Sequence, residues 1–161
     1  MCSSDLLVGP VMPYVNRPAP ETGLAGKFSF QYVLAAALLD GKVGIGTFTD
    51  ATLHRPDLQA LLHRIAFRMD NDIPPRFETM HVEATIELTD GRTLTAHCDG
   101  PRGVWGRPPI PEAEHLLKVR DCLSARLPPD AVERCIALAG TLDHQSADGV
   151  RELMALIGNV S

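Results

Sequence analysis

The segment KFSFQYVLAAALLDG, residues 27–41, predicts the helix around which the rest of the chain can be arranged. Ser29 precedes the apolar run, and serine is a favoured residue at helix N-termini. Gly41 follows the last apolar turn, as a C-terminal capping glycine does. Alanine and leucine occupy nearly every side of the run, which is typical of a helix buried between layers.

The residues that follow predict a loop, a second helix and a strand. GKVGIGTF, residues 41–48, is a glycine-interrupted loop, and Thr49 or Asp50 can cap the helix after it. In DLQALLHRI the apolar residues recur at helical spacing. IAFRMDN, residues 65–71, then continues as a strand. The apolar positions of the predicted helix are Leu58, Leu61, Leu62 and Ile65.

A hairpin and three helices complete the pattern. HVEATIEL alternates between apolar and polar residues, Asp90-Gly91 is a two-residue hairpin signal, and RTLTAHCD is the returning strand. Residues 100–111 form a loop rich in glycine and proline that contains Trp105, a predicted packing anchor. Three helical stretches follow, and the second of them has prolines at its start.

These elements predict an α+β fold, with a small antiparallel sheet packed by helices. The count is two or three strands and five helices, whereas a stable sheet normally needs three strands or more. We therefore expect the first strands to be missing, supplied by a partner chain or by sequence upstream. Residues 1–10 are expected to be disordered or an artefactual start, since CSSDL is also encoded by a common sequencing-adapter end. Residues 11–161 are expected to form the α+β domain.

Composition narrows the class of protein and its partners. A length of 161 residues fits one domain, and the net charge of −5 argues against nucleic acid or an anionic membrane as a partner. The four cysteines lack metal-site spacing and are typical of a reduced, cytoplasmic protein. The N-terminus does not have the pattern of a signal peptide. The longest apolar run is too short for the ~20 residues of a membrane span.

Few residues of the sequence indicate a catalytic, ligand-binding or metal-binding role. The sequence has no phosphate-binding glycine motif, and its histidines do not share a helix face with another ligand at i, i+4, so we expect no metal site. Arginine can hold a carboxylate through two hydrogen bonds, and a tyrosine hydroxyl can transfer a proton. The structural alternative is that these side chains pack, pair with Glu21 or are solvated. The candidates are Tyr14, Asn16, Arg17, Lys27 and Ser29, with Arg102, Trp105 and Arg107 in the later loop.

Five segments in order resemble the C-terminal domain of the MmgE/PrpD family over roughly residues 11–157. They are YVNRPAPE, KFSFQYVLAAALLDG, LHRPDLQALLHRI, IELTDGRTL and GVWGRPP. The resemblance implies a homodimeric parent enzyme with an all-α N-terminal domain, absent here, that carries most catalytic residues. It also implies a cofactor-independent lyase, a dehydratase or decarboxylase, that transfers a proton next to a carboxylate of a small di- or tricarboxylic acid.

The resemblance also assigns residues and leaves alternatives open. Tyr14 matches an active-site tyrosine of the decarboxylase branch and is expected to transfer a proton or bind a carboxylate. Arg17, Lys27 and Ser29 are expected to bind substrate near the domain junction. The isolated chain is expected to be inactive, since one tyrosine and a few cations cannot replace the absent acid–base groups. The alternatives are the isomerase or epimerase branch of the family, a non-catalytic binding module, and a dimerisation module.

Overall fold

The computed structural model describes residues 3–10, 15–76, 78–103 and 108–158. The chain divides into two compact units, Met1–Pro109 and Ile110–Ser161, which are described separately below. Among the described residues, the first unit holds a four-stranded sheet and four α-helices, and the second holds three α-helices. The predicted α+β class is confirmed.

The sheet of the first unit has the strand order β2-β1-β3-β4. β1 runs parallel to β2 and antiparallel to β3, and β3 is antiparallel to β4. The sheet is therefore mixed, whereas the sequence predicted antiparallel pairing. The strands are β1 (Ser3–Val8), β2 (Ile65–Met69), β3 (Val82–Glu87) and β4 (Thr93–Cys98).

β1 is the main difference from the sequence prediction, which expected residues 1–10 to be disordered or an artefactual start. The strand is hydrogen-bonded on both edges, and Ser4, Leu6 and Val8 are buried on one face. The Ser-Ser-Asp start has little preference of its own for a strand. β-propensity depends largely on the neighbouring strands and side chains that cover a strand, however. Here β2 and β3 supply those neighbours, so residues 3–8 form a strand that composition does not reveal.

The helix predicted from residues 27–41 is present with both of its predicted ends. The side chain of Ser29 accepts a hydrogen bond from the backbone N–H of Tyr32, and Gly41 closes the helix with a φ of 69°. Within the described ranges, no helix is long and apolar enough to cross a bilayer. The α-helices described in the first unit are α1 (Gly23–Gly26), α2 (Phe30–Asp40), α3 (Asp50–Leu53) and α4 (Pro56–Leu62).

The core of the first unit lies between α2, α3, α4 and the start of β2. One face of α2 is buried there, but Leu39 on the same helix is 42% exposed, so α2 is not enclosed on every side as its composition predicted. The side chain of Phe30 at the start of α2 stacks on Phe67 of β2, with ring centroids 5.9 Å apart. The buried members are Tyr32, Ala35, Ala36, Leu53, Leu58, Leu61, Leu62 and Ile65.

An ionic contact joins the end of α2 to the start of α4. Nη1 of Arg55 lies 2.8 Å from Oδ1 of Asp40, and its Nη2 lies 2.6 Å from Oδ2 of Asp57. The hydrogen bond with Arg55 lowers the pKa of Asp57 below its ordinary value. Arg55 therefore holds one carboxylate from α2 and one from α4 against a single guanidinium.

The β3–β4 hairpin has a three-residue loop rather than the predicted two-residue turn. The N–H of Gly91 donates to the carbonyl of Leu88 at 3.1 Å, and the N–H of Leu88 donates to the carbonyl of Arg92 at 2.8 Å. Gly91 has a φ of 84°, the left-handed conformation that glycine adopts at the bulge of a three-residue hairpin loop. The extra residue shifts the pairing by one position and sets Glu83 opposite His97.

In the part of the second unit that the structure describes, three α-helices pack around a small core of their own. Cys135, Leu138 and Leu153 are buried at its centre. Bidentate ion pairs join neighbouring helices, Arg120 with Glu133 and Arg134 with Glu152. The helices are α5 (Glu112–Ser124), α6 (Pro129–Gly140) and α7 (Ala147–Gly158), close to the three stretches that the sequence predicted.

A pair of substitutions in β1 tests its place in the sheet. Leu6→Ala should lower the free energy of unfolding by about 2–5 kcal/mol, because it opens a cavity under a side chain that is 5% exposed. Leu7→Ala should cost roughly half as much or less, since Leu7 is half-buried on the opposite face. Urea denaturation followed by circular dichroism measures both. Equal, small effects at the two positions would indicate an irregular N-terminus instead.

Candidate functional site

Ser29 ties the segment before α1 to the start of α2. Its hydroxyl donates to the backbone carbonyl of Arg17 at 2.6 Å and accepts from the N–H of Tyr32 at 3.0 Å. The side chain is 1% exposed. Because a serine hydroxyl has one proton, this geometry commits that proton to holding Arg17 in place. Direct contact between Ser29 and a substrate stays a prediction.

Gln31 makes a second hydrogen bond between α2 and the segment that precedes α1. Its Nε2 donates to Oδ1 of Asn16 at 2.7 Å, and its side chain is 2% exposed. Oε1 of the same amide has no hydrogen-bond partner among the described residues. Ser29, the N-cap of α2, thus holds the backbone of Arg17, and Gln31 in the first turn of α2 holds the side chain of Asn16.

The two predicted cations of the segment, Arg17 and Lys27, are both exposed and each lies over an aromatic ring. Cζ of Arg17 is 5.6 Å from the centroid of Phe28, and Nζ of Lys27 is 5.8 Å from the centroid of Phe48. A cation within ~6 Å of a ring face is attracted to it while its charged head stays accessible to solvent. These rings orient the two side chains without neutralising their charge.

A shallow cavity of about 500 Å³ opens beside Arg17. Its wall is a short stretch of chain in which two prolines fix the backbone. A guanidinium at the rim of such a cavity can hold a carboxylate through two parallel hydrogen bonds. The lining residues are Arg17, Pro18, Ala19, Pro20, Glu21, Thr22 and Ala25.

Glycine is required where α1 meets α2. A Cβ built at Gly26 would lie 2.8 Å from Cδ1 of the Tyr32 ring, which is closer than side chains approach in folded proteins. Tyr32 is fully buried, and its hydroxyl donates to the carbonyl of Thr47 at 2.5 Å. Burial raises the pKa of the Tyr32 hydroxyl, so this tyrosine stays neutral and structural.

Tyr14, the predicted catalytic residue, lies outside the described residues, as do Trp105 and Arg107. The chain contains two tyrosines in all. Tyr32 is buried and its hydroxyl is committed to Thr47, while the proton-transfer role of Tyr14 stays a prediction. Of the predicted set, the structure therefore brings Arg17 and Ser29 into direct contact and places Lys27 between α1 and α2.

The sequence prediction missed a second group of residues on the β3–β4 hairpin. His81, Glu83 and His97 each present a nitrogen or oxygen atom within 4.8 Å of the others. A hydrogen bond with Asp99 raises the pKa of His97. Helical spacing does not reveal this group, because its members are paired across two strands. The signal in the sequence is the alternation H-x-E in one strand with H-x-D in the next.

Comparisons with known proteins agree on one family. The sequence model of the MmgE/PrpD C-terminal domain matches residues 8–144. Cis-aconitate decarboxylase of Mus musculus is 36% identical over 134 residues, which is 83% of this chain and 27% of the relative. The Homo sapiens cis-aconitate decarboxylase is 34% identical over the same length, 28% of that protein. The chain thus spans little more than a quarter of the length of these relatives.

Replacing Ser29 tests its double role in the segment. Ser29→Ala should lower the free energy of unfolding by about 1–3 kcal/mol, because it removes a helix cap and leaves the carbonyl of Arg17 without its donor. Thr22→Ala is the matched control, since Thr22 caps α1 at an exposed position, and it should cost about 0.5–1 kcal/mol. Chemical denaturation measures both, and equal costs would show that the bond to Arg17 contributes nothing.

Proposed function

This chain belongs to the MmgE/PrpD family, as its sequence motifs predict, and we propose that it acts as the C-terminal part of a cofactor-independent lyase. Its substrate is proposed to be a small di- or tricarboxylic acid, with cis-aconitate as the first candidate. The observation that carries this proposal is the 36% and 34% identity to two proteins named cis-aconitate decarboxylase. The family match also covers the whole segment that holds Arg17, Lys27 and Ser29.

The exposed side chains of Arg17 and Lys27 are proposed to bind the carboxylates of the substrate. A polycarboxylate brings two or three negative charges, and these need fixed donors in the bound state. Arg17 suits a bidentate grip on one carboxylate, while Lys27 contributes a point charge for a second. Ser29 acts in this proposal by holding the Arg17 backbone, so that the guanidinium starts from a fixed position beside the cavity.

Tyr14 is proposed to act in the proton-transfer half. In decarboxylation, one carboxylate leaves as CO₂, the bonding electron pair remains on the carbon, and an acid delivers a proton to that carbon. Dehydration differs in that a base removes a proton beside a carboxylate and the neighbouring hydroxyl leaves as water. Both reactions build negative charge next to a carboxylate, and nearby cations stabilise that charge.

The proposal also covers the cellular compartment and the assembly of the complete enzyme. The three cysteines in the described part of the chain, Cys98, Cys122 and Cys135, carry free thiols. Free thiols in an acidic protein suit the reducing cytoplasm. We also propose that the complete enzyme includes an all-α domain and works as a homodimer, with most acid–base residues contributed by that domain. Accordingly, the chain by itself is proposed to bind but not convert a polycarboxylate.

A chimera in which this chain replaces the matching part of a relative tests the proposed decarboxylation. The purified chain is expected to release no CO₂ from cis-aconitate. Mouse cis-aconitate decarboxylase in which this chain replaces its aligned 134 residues is expected to release it. A folded chimera that instead dehydrates or epimerises another carboxylic acid would move the chain to a different branch of the family. Turnover by the isolated chain would contradict the division of catalytic residues proposed above.

Variants of the active chimera test the assigned residues. Tyr14→Phe should lower kcat by roughly 10²–10⁴-fold, the range expected for loss of a general acid or base. Arg17→Gln should raise KM about tenfold or more, since it removes a bidentate carboxylate contact. Arg92→Gln is the matched control, because Arg92 is an exposed arginine on the hairpin that pairs with Asp90. An unchanged kcat in Tyr14→Phe would remove Tyr14 from the mechanism.

A further inference from the structure

The β3–β4 hairpin carries a cluster that the proposed lyase chemistry does not use. His81 precedes β3 and Glu83 lies within it, while His97 lies in β4 directly opposite Glu83. One nitrogen or oxygen atom from each residue lies within 4.8 Å of the other two. The imidazole rings of His81 and His97 are stacked, with centroids 4.9 Å apart. Three side chains that ligate metals thus share one patch of the sheet.

The register of the hairpin creates this patch. With a two-residue turn, Glu83 would pair with Cys98, and His97 would point to the other face. The glycine bulge at Gly91 adds one residue to the loop and sets Glu83 opposite His97. The apolar residues collect on the reverse face, where Val82 pairs with Cys98 and Ala84 pairs with Ala96.

The orientation of His97 leaves a place for a cation. Its Nε2 lies 2.7 Å from Oδ1 of Asp99, and its Nδ1 faces Oε1 of Glu83 at 3.6 Å. Because Nε2 is engaged by Asp99, Nδ1 is the ring nitrogen of His97 that is directed at the Glu83 carboxylate. A metal ion placed between these two atoms can take one ligand atom from each residue.

We propose that His81, Glu83 and His97 bind a divalent transition-metal ion of the zinc type. Two imidazoles and one carboxylate form a recognised zinc ligand set, and water completes the coordination. Asp99 holds the far nitrogen of His97, as carboxylates outside the ligand shell of zinc-bound histidines commonly do. Zinc–ligand bonds of about 2.0–2.2 Å require the three atoms to draw together by roughly 1.5 Å. The side chains of Glu83 and His97 are about half exposed and can rotate to achieve this.

The ligand types favour a transition-metal ion of the zinc type over magnesium and calcium. Nitrogen ligands disfavour magnesium and calcium, which prefer oxygen, whereas imidazole with carboxylate suits zinc, nickel and copper. The neighbouring thiol, Cys98, takes no part, because alternation along β4 directs it to the opposite face of the sheet. A shallow cavity of about 350 Å³ adjoins Glu83 and His97 and leaves space for bound water.

Zinc titration of the full chain tests this site. Isothermal titration calorimetry with Zn²⁺ alone is expected to show one ion bound per chain. Cobalt(II) in place of zinc should give d–d absorption without thiolate-to-cobalt charge transfer, since no cysteine is a ligand. Absence of binding by the unmodified chain would overturn the proposal and leave the cluster as a proton-bridged ion pair.

Substitutions identify the ligands. Asp99→Asn should weaken zinc binding by roughly 10–100-fold, as loss of an outer carboxylate does, and His81→Ala or His97→Ala by at least as much. Cys98→Ser and His63→Ala are the matched controls and should leave the affinity unchanged. Each variant is checked by circular dichroism for its fold. Binding that survives His81→Ala and His97→Ala, or that is lost in Cys98→Ser, would overturn the assignment.

Discussion

The first unit depends on the pairing of β1 with a neighbour on each side. β1 connects β2, which packs against the helical core through Phe67 and Phe30, to the β3–β4 hairpin. β2 and β3 share no ladder with each other, so the hairpin joins the sheet through β1. An isolated hairpin is marginal in water, which makes six residues near the N-terminus the link between the helices and the outer strands.

Local sequence signals predict the helical part of this unit well. Ser29 and Gly41 end α2 where cap chemistry places them, and the leucine spacing of residues 58–62 marks the buried face of α4. These signals act within a few residues, so they are visible in a short window. β1 is different, because its stability comes from β2 and β3, which lie about sixty and eighty residues away in the chain.

In the candidate site, too, short sequence motifs predict some features, whereas others depend on contacts between residues far apart in the chain. Family resemblance selects Arg17, Lys27 and Ser29, and capping rules predict that Ser29 begins a helix. Neither predicts that the Ser29 hydroxyl donates to the carbonyl of Arg17, twelve residues earlier. The zinc-type cluster is harder still, since it requires the hairpin register, and a single bulged glycine changes which residues face each other.

The two sites therefore rest on different constraints and should respond differently to change. The segment around Arg17 is held by side-chain hydrogen bonds from Ser29 and Gln31, so one substitution can release it while the sheet stays intact. The hairpin cluster is held by backbone pairing, and its ligands are one half-buried and two exposed side chains that lie outside the buried core. Substitution of a ligand leaves the register in place, whereas a change in loop length at Gly91 would separate Glu83 from His97 without altering either residue.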